Sequence, residues 1–178
     1  MKIQEDNLFP IKLYTIRTEL PTARLNDWIL EIKDTQHFHY GRDTGGWQGG
    51  EGLWKHELMS DFRNILTSKI TEIFDRDFAI LEMWGSVSTK GDYNKIHNHP
   101  ALNPMYYDTP NWSGIFYLKT NVEGGELLIH SSQNITDTHS IKPNDGDIIL
   151  FNSQTYHSVT PNLSDDIRIC IAFNFRLL

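Results

Sequence analysis

Ile167-Arg168-Ile169-Cys170-Ile171-Ala172-Phe173-Asn174-Phe175, near the end of the chain, alternates bulky apolar residues with a charge, two small residues and an amide. Period two sends Ile167, Ile169, Ile171, Phe173 and Phe175 to one face of a strand and Arg168, Cys170, Ala172, Asn174 and Arg176 to the other. The first face is suited to packing under helices. A polar second face is ordinarily solvated in an antiparallel sheet, yet Cys170 and Ala172 are poor choices for a wet surface. Small residues beside one arginine leave room for an anion. The planar guanidinium fork donates two parallel hydrogen bonds and so matches a carboxylate.

Upstream of this strand the chain keeps the same character as far back as residue 78. Short aliphatic and aromatic runs at 78–87, 114–119, 126–130 and 147–151 are separated by turn residues such as Glu123-Gly124-Gly125 and Pro143-Asn144-Asp145-Gly146. Many short strands with this punctuation predict a sandwich or barrel. Before residue 78 the period changes to that of helices. Pro21-Thr22 opens one, with Leu25, Trp28, Ile29 and Ile32 on a single face. Leu58, Phe62, Ile65, Leu66, Ile70, Ile73 and Phe74 stripe a second helix over 56–74. Residues 40–53 hold six glycines and read as a loop, either a lid or substrate-facing loop or a plain surface insertion. The expected class is α+β, a double-stranded β-helix (jelly-roll) core with N-terminal helices packed on one sheet.

A length of 178 residues fits one domain, 1–178, with 1–77 as mostly helical support and 78–178 as the jelly roll. A net charge of -7 with scattered basic residues argues against nucleic acid as a partner. No apolar run suffices for a membrane helix. The opening MKIQEDNLFPIKLY lacks the basic start and apolar run of an export signal. The single cysteine, Cys170, cannot pair within the chain, and a cytoplasmic setting is the expectation. No nucleophile elbow or phosphate loop occurs.

Four of the eight histidines form two His-x-His pairs, His37-Phe38-His39 and His97-Asn98-His99. On a strand such a pair points both imidazoles to one face, where they can share a metal. His37 and His39 sit by the first helix with no third ligand suggested, and read as loop histidines. His97 and His99 follow a turn and end at Pro100, which stops a strand. His157 follows the strand over 147–151 and precedes Arg168 by about one hairpin.

An early histidine pair, a late histidine and an arginine beyond it, in this order, resemble the 2-oxoglutarate/iron(II) oxygenase superfamily, above all its small prolyl-hydroxylase-like proteins. The resemblance runs from Phe78 to the C-terminus and rests on an ordered set of motifs. These are His97-x-His99, Ser113-Gly114-Ile115-Phe116-Tyr117-Leu118, Gly124-Gly125-Glu126-Leu127, Pro143-x-x-Gly146-Asp147, Leu150-Phe151-Asn152, His157 and Arg168. Phe9-Pro10 and Gly45-Gly46-Trp47-Gln48 look like features of one subgroup. The resemblance implies iron(II) held by His97 and His157, and Arg168 pairing with the distal carboxylate of 2-oxoglutarate; His99, on the same strand face as His97, is the third ligand read from this chain's own residues. Tyr117 would assist that arginine or simply fill the core. Trp84, Tyr93, Trp112 and Asn174 would pack in the core or rim, or else wall the site.

The chain departs from the resemblance in two places. Most such oxygenases carry a carboxylate two residues after the first histidine, where this chain has His99. Either the site uses three histidines, or Asp108 on the proline-rich segment 101–110 supplies the carboxylate, or metal is held poorly and the protein is not catalytic. Cys170 stands where relatives often place a serine, and a thiol is a weak donor. The expected activity is hydroxylation of a peptidyl or amino-acid C–H bond with release of succinate and CO2. A cupin-like metal enzyme working without 2-oxoglutarate is a second reading. A jelly-roll binding module, with Trp47, Trp54 and Trp112 as stacking platforms, is a third.

Overall fold

The computed structural model describes residues 10–35, 45–50, 52–99 and 111–178. Its elements run β1 (Leu13–Arg17), α1 (Ala23–Thr35), β2 (Trp47–Gly49), α2 (Ser60–Phe74), β3 (Phe78–Ser88), β4 (Asn94–His97), β5 (Trp112–Lys119), β6 (Leu127–His130), β7 (Thr138–Ile141), β8 (Asp147–Asn152), β9 (His157–Val159) and β10 (Arg168–Leu177). Two short 3-10 turns, Leu53–Lys55 and Glu57–Met59, lead into α2. A six-stranded sheet has the order β1-β8-β5-β10-β3-β2, and a four-stranded sheet the order β4-β9-β6-β7. Every strand pair is antiparallel. This is the expected α+β architecture, a double-stranded β-helix with two N-terminal helices on the larger sheet.

The period-two reading of the last strand holds residue by residue. Ile169, Ile171, Phe173 and Phe175 join the core beneath the helices, together with Leu25, Ile29, Phe62, Leu66 and Ile70. Phe62, Leu66 and Ile70 are one turn apart, so a single stripe of α2 is buried. Phe62 stacks on Phe116 with ring centroids 4.7 Å apart and meets Phe173 edge-on at 5.7 Å. β5 and β8 alternate in the same way. Phe116, Leu118, Ile148 and Leu150 face the helices, while Ile115, Tyr117, Ile149 and Phe151 pack with Cys170 against Leu127 and Ile129 of the smaller sheet. Both faces of β8 are covered, which explains its nearly unbroken apolar run.

Two strands lie in the segment expected to be helix and loop. β1 pairs with β8, and β2 pairs with β3, so each closes one edge of the larger sheet. Within residues 40–53, Trp47 is buried, and Gly46 and Gly50 on either side adopt positive φ. β2 is thus a three-residue strand held between two glycine turns. Among the described residues no helix is long and apolar enough to cross a membrane.

Gly114 lies opposite Phe173 in the β5–β10 ladder. A Cβ there would sit 2.2 Å from the Phe173 ring, so the aromatic occupies the space that the missing side chain leaves. Gly114→Ala is therefore expected to lower the urea-unfolding free energy by about 1–3 kcal/mol, the usual cost of overpacking. Adding Phe173→Leu should recover part of that loss, and strictly additive losses in the double-mutant cycle would contradict the close approach.

Candidate metal centre and anion pocket

β4 ends on His97 and β9 begins on His157, and the two residues are register partners in the smaller sheet. The ladder itself therefore sets their imidazoles side by side, with ring centroids 4.2 Å apart. His99 lies two residues beyond His97, past the end of the strand. Its backbone N–H donates to Ser153 O at 2.8 Å, which continues the pairing in spirit and keeps its ring 5.1 Å from His97 and 5.2 Å from His157. One ligating nitrogen from each of the three lies within 4.8 Å of the others, a group able to hold a metal ion.

His97 Nδ1 and His157 Nδ1 lie 2.7 Å and 3.0 Å from the carbonyl oxygens of Lys95 and Thr155. A carbonyl only accepts, so each ring carries its proton on Nδ1 and leaves Nε2 bare. Burial is the main force on the basicity of this cluster. It pushes His157 down to about 3, helped by the neighbouring His97, and His99 down to about 4, helped by His97 and opposed by Glu82. Both rings are neutral near pH 7, the form that ligates metal.

The site face of β10 lines a cavity of about 370 Å³ that also takes in His97, His99 and His157. Arg168 reaches it at 4% exposure. Its Nη1 donates to Cys170 Sγ at 3.6 Å, and its guanidinium carbon lies 5.2 Å from the centre of the Tyr117 ring. Arg168 Nε and Nη2 have no hydrogen-bond partner, and neither does the fully buried Tyr117 hydroxyl. Hydroxyl and guanidinium are close enough to affect each other's ionisation but not aligned for a hydrogen bond. Burial raises the Tyr117 hydroxyl well above the ordinary phenol value, so it is a neutral donor in search of an acceptor. Gly125 makes the arginine's position possible, because a Cβ there would sit 3.0 Å from Arg168 Cδ. Gly125 of the glycine pair has this physical reason, whereas a Cβ on Gly124 would run into the Pro161 carbonyl.

Of the expected wall residues, Trp84 and Asn174 line the cavity. Trp112 instead packs on Tyr14 and Phe74 on the helical side, and Tyr93 is exposed. Trp47 and Trp54 pack with the helical core, so they form no stacking platform. Sequence reasoning missed Gln48, Ser86 and Phe151 in the lining. It also missed Glu82, which accepts from Asn174 Nδ2 at 3.0 Å. The alternation Glu82-x-Trp84-x-Ser86 along β3 was the available signal. Asp108, segment 101–110, His37 and His39 lie outside the described residues. His130 is satisfied by Ile135 O and Ser158 Oγ and belongs to the smaller sheet's own structure.

The lowered histidines fix the sign of the acid response. The unfolded chain binds protons as pH falls through 6.5, whereas folded His99 and His157 bind them only near about 4 and 3. Stability of the metal-free protein is therefore fully present above about pH 6.5 and declines as pH falls toward the folded values. Urea midpoints between about pH 7 and about pH 5 should show this decline, and His157→Gln should flatten it. An unchanged slope in that variant would contradict the burial of a neutral His157.

Residues 82–174, more than half of the chain, match the family model described as "Putative 2OG-Fe(II) oxygenase". No curated protein matches the sequence. The fold is similar to that of a Pseudomonas putida prolyl-4-hydroxylase, with a TM-score of 0.69 at 17% identity over 92% of this chain and 91% of that one. It is similar to a Trichoplax adhaerens prolyl hydroxylase in complex with a hypoxia inducible factor peptide fragment, with a TM-score of 0.70 at 16% identity over 92% and 82%. It is also similar to SnoN, a non-heme alpha-ketoglutarate-dependent epimerase from nogalamycin biosynthesis, with a TM-score of 0.75 at 10% identity over 92% and 77%. The matched span holds the three histidines, Tyr117 and Arg168, and the chain belongs to the 2-oxoglutarate/iron(II) oxygenase family, whose cofactors are iron(II) and 2-oxoglutarate.

Proposed function

We propose that this protein is a hydroxylase acting on a peptidyl or amino-acid C–H bond, with iron(II) held by His97, His99 and His157 and 2-oxoglutarate anchored by Arg168. The observation that carries the reading is the guanidinium of Arg168. It is buried beside the histidine cluster with two nitrogens unpartnered and, among the described residues, no ion pair. A buried charge without a partner is costly, and a bound carboxylate removes that cost. The Tyr117 hydroxyl would donate to the same anion, and its ring supports the guanidinium from below.

When bound, iron(II) and 2-oxoglutarate supply oxidation of an unactivated C–H bond, coupled to conversion of 2-oxoglutarate into succinate and CO2. The chain's own contribution is placement. Arg168 orients the co-substrate through the fork of its guanidinium. The carbonyl-bound Nδ1–H groups hold His97 and His157 with Nε2 directed away from the backbone. Trp84 and Phe151 help exclude water from the cavity.

The prolyl hydroxylases among the structural neighbours support a peptidyl or amino-acid substrate, while the epimerase shows that the fold serves other outcomes. A metal enzyme working without 2-oxoglutarate has no use for an orphaned arginine beside its metal. Arg168→Ala is expected to weaken 2-oxoglutarate binding to the metal-loaded protein by about 2–5 kcal/mol, the cost of removing one partner from a buried charged pair. Calorimetric titration reads this directly. Affinity within about 0.5 kcal/mol of the parent would overturn the assignment of Arg168, since surface changes away from a site stay within that range.

A further inference from the structure

His97 and His157 each meet a backbone carbonyl at Nδ1, but His99 does not. Its Nδ1 faces Asn174 Nδ2 at 3.3 Å. Two partners fix the orientation of that amide. Asn174 Oδ1 accepts from Ser113 Oγ at 2.7 Å, and Asn174 Nδ2 donates to Glu82 Oε2 at 3.0 Å.

The two partners differ in what they permit. A serine hydroxyl can rotate and accept from the other end of an amide, whereas a carboxylate offers only acceptors. Glu82 therefore keeps the nitrogen of Asn174, and not its oxygen, on the side of His99. Register sets the pairing, because Glu82 and Asn174 are partners in the β3–β10 ladder; Asn174 is only 1% exposed, and the exposed Glu82 meets its amide from the solvent side. With an N–H directed at it, His99 Nδ1 is the acceptor. The single proton of the neutral ring then sits on Nε2, the nitrogen left free to face a metal. His99 is thus held in the tautomer opposite to that of its two neighbours.

We propose that Glu82, acting through Asn174, makes His99 a conditional metal ligand beside the permanent pair His97 and His157. This inference rests on the three-histidine reading above. Ligation through Nε2 requires that nitrogen to release its proton while Nδ1 takes one up, so the number of protons on the ring is unchanged. The new Nδ1–H needs an acceptor, and Asn174 supplies one only by turning its oxygen toward His99. Turning the amide sets that oxygen against the Glu82 carboxylate, where two acceptors face each other. Glu82 is a positioning residue that resists the entry of His99 into the metal's coordination. Loss or gain of this one ligand would open or close a coordination position without disturbing the other two.

The sign of one substitution separates this lock from simple attraction. A carboxylate near a metal strengthens binding by charge alone, so its removal would weaken binding. The lock predicts the reverse, because Glu82→Gln offers an N–H to the turned amide oxygen. Cobalt(II) titration of the full chain should show Glu82→Gln binding about tenfold tighter than the parent, within the range that outer-shell changes move affinity. Ring-nitrogen NMR of the metal-free parent should place the His99 proton on Nε2 and those of His97 and His157 on Nδ1. In Glu82→Gln, the His99 signal should move toward the Nδ1–H form. A parent His99 protonated on Nδ1, or cobalt binding unchanged or weakened in Glu82→Gln, would overturn the proposal. If the parent bound no cobalt, the metal-site reading would fail, and the nitrogen spectrum alone would still decide the state of His99.

Discussion

Arg168 carries its guanidinium into the interior, lining the same cavity as the histidine cluster, and no ion pair neutralises it among the described residues. Much of the local structure is arranged around this charge. Gly125 gives up a side chain to let the arginine pass, the Tyr117 ring lies beneath the guanidinium, and Cys170 offers only a weak sulfur acceptor. These contacts position the group without satisfying it. A side chain held in place with two donors unmet suits the carboxylate proposed for it, and preorganisation of this kind reduces the entropy lost on binding.

The same strand divides the molecule. One face of β10 completes the aromatic core under the helices, and the other supplies Arg168, Cys170, Ala172 and Asn174 to the cavity. Because β10 is flanked by β5 and β3 in the larger sheet, its register also decides where Ser113 and Glu82 stand. A slip of one residue would turn Arg168 toward the helices and Ile169 toward the histidines. Core packing and site geometry are therefore one constraint. The tight fit of Phe173 against Gly114 protects both.

This coupling explains what was legible in the sequence. The alternation of 167–175 identified the strand, its two faces and the arginine, because both faces are buried and each imposes its own residue types. His97 and His157 were legible for a related reason: they occupy adjoining ends of paired strands. β1, β2 and β7 were not, since edge strands need satisfy only one neighbour. Thr138-His139-Ser140-Ile141 is largely exposed, and Trp47-Gln48-Gly49 is too short to show a period. Glu82 escaped notice because its role depends on lying opposite Asn174, a relation between strands far apart in the chain. Tyr117 was read as either core or site, and it is buried in the core while its ring carries the site's arginine.

The central claim is that the histidine cluster and Arg168 act on one ligand together. Anaerobic addition of 2-oxoglutarate to the iron(II)-loaded protein tests it most directly, through the weak visible charge-transfer absorption of the iron–2-oxoglutarate chelate. The account predicts that band in the parent protein and its loss in both His157→Ala and Arg168→Gln at the same co-substrate concentration. A band of full intensity in either variant would contradict it.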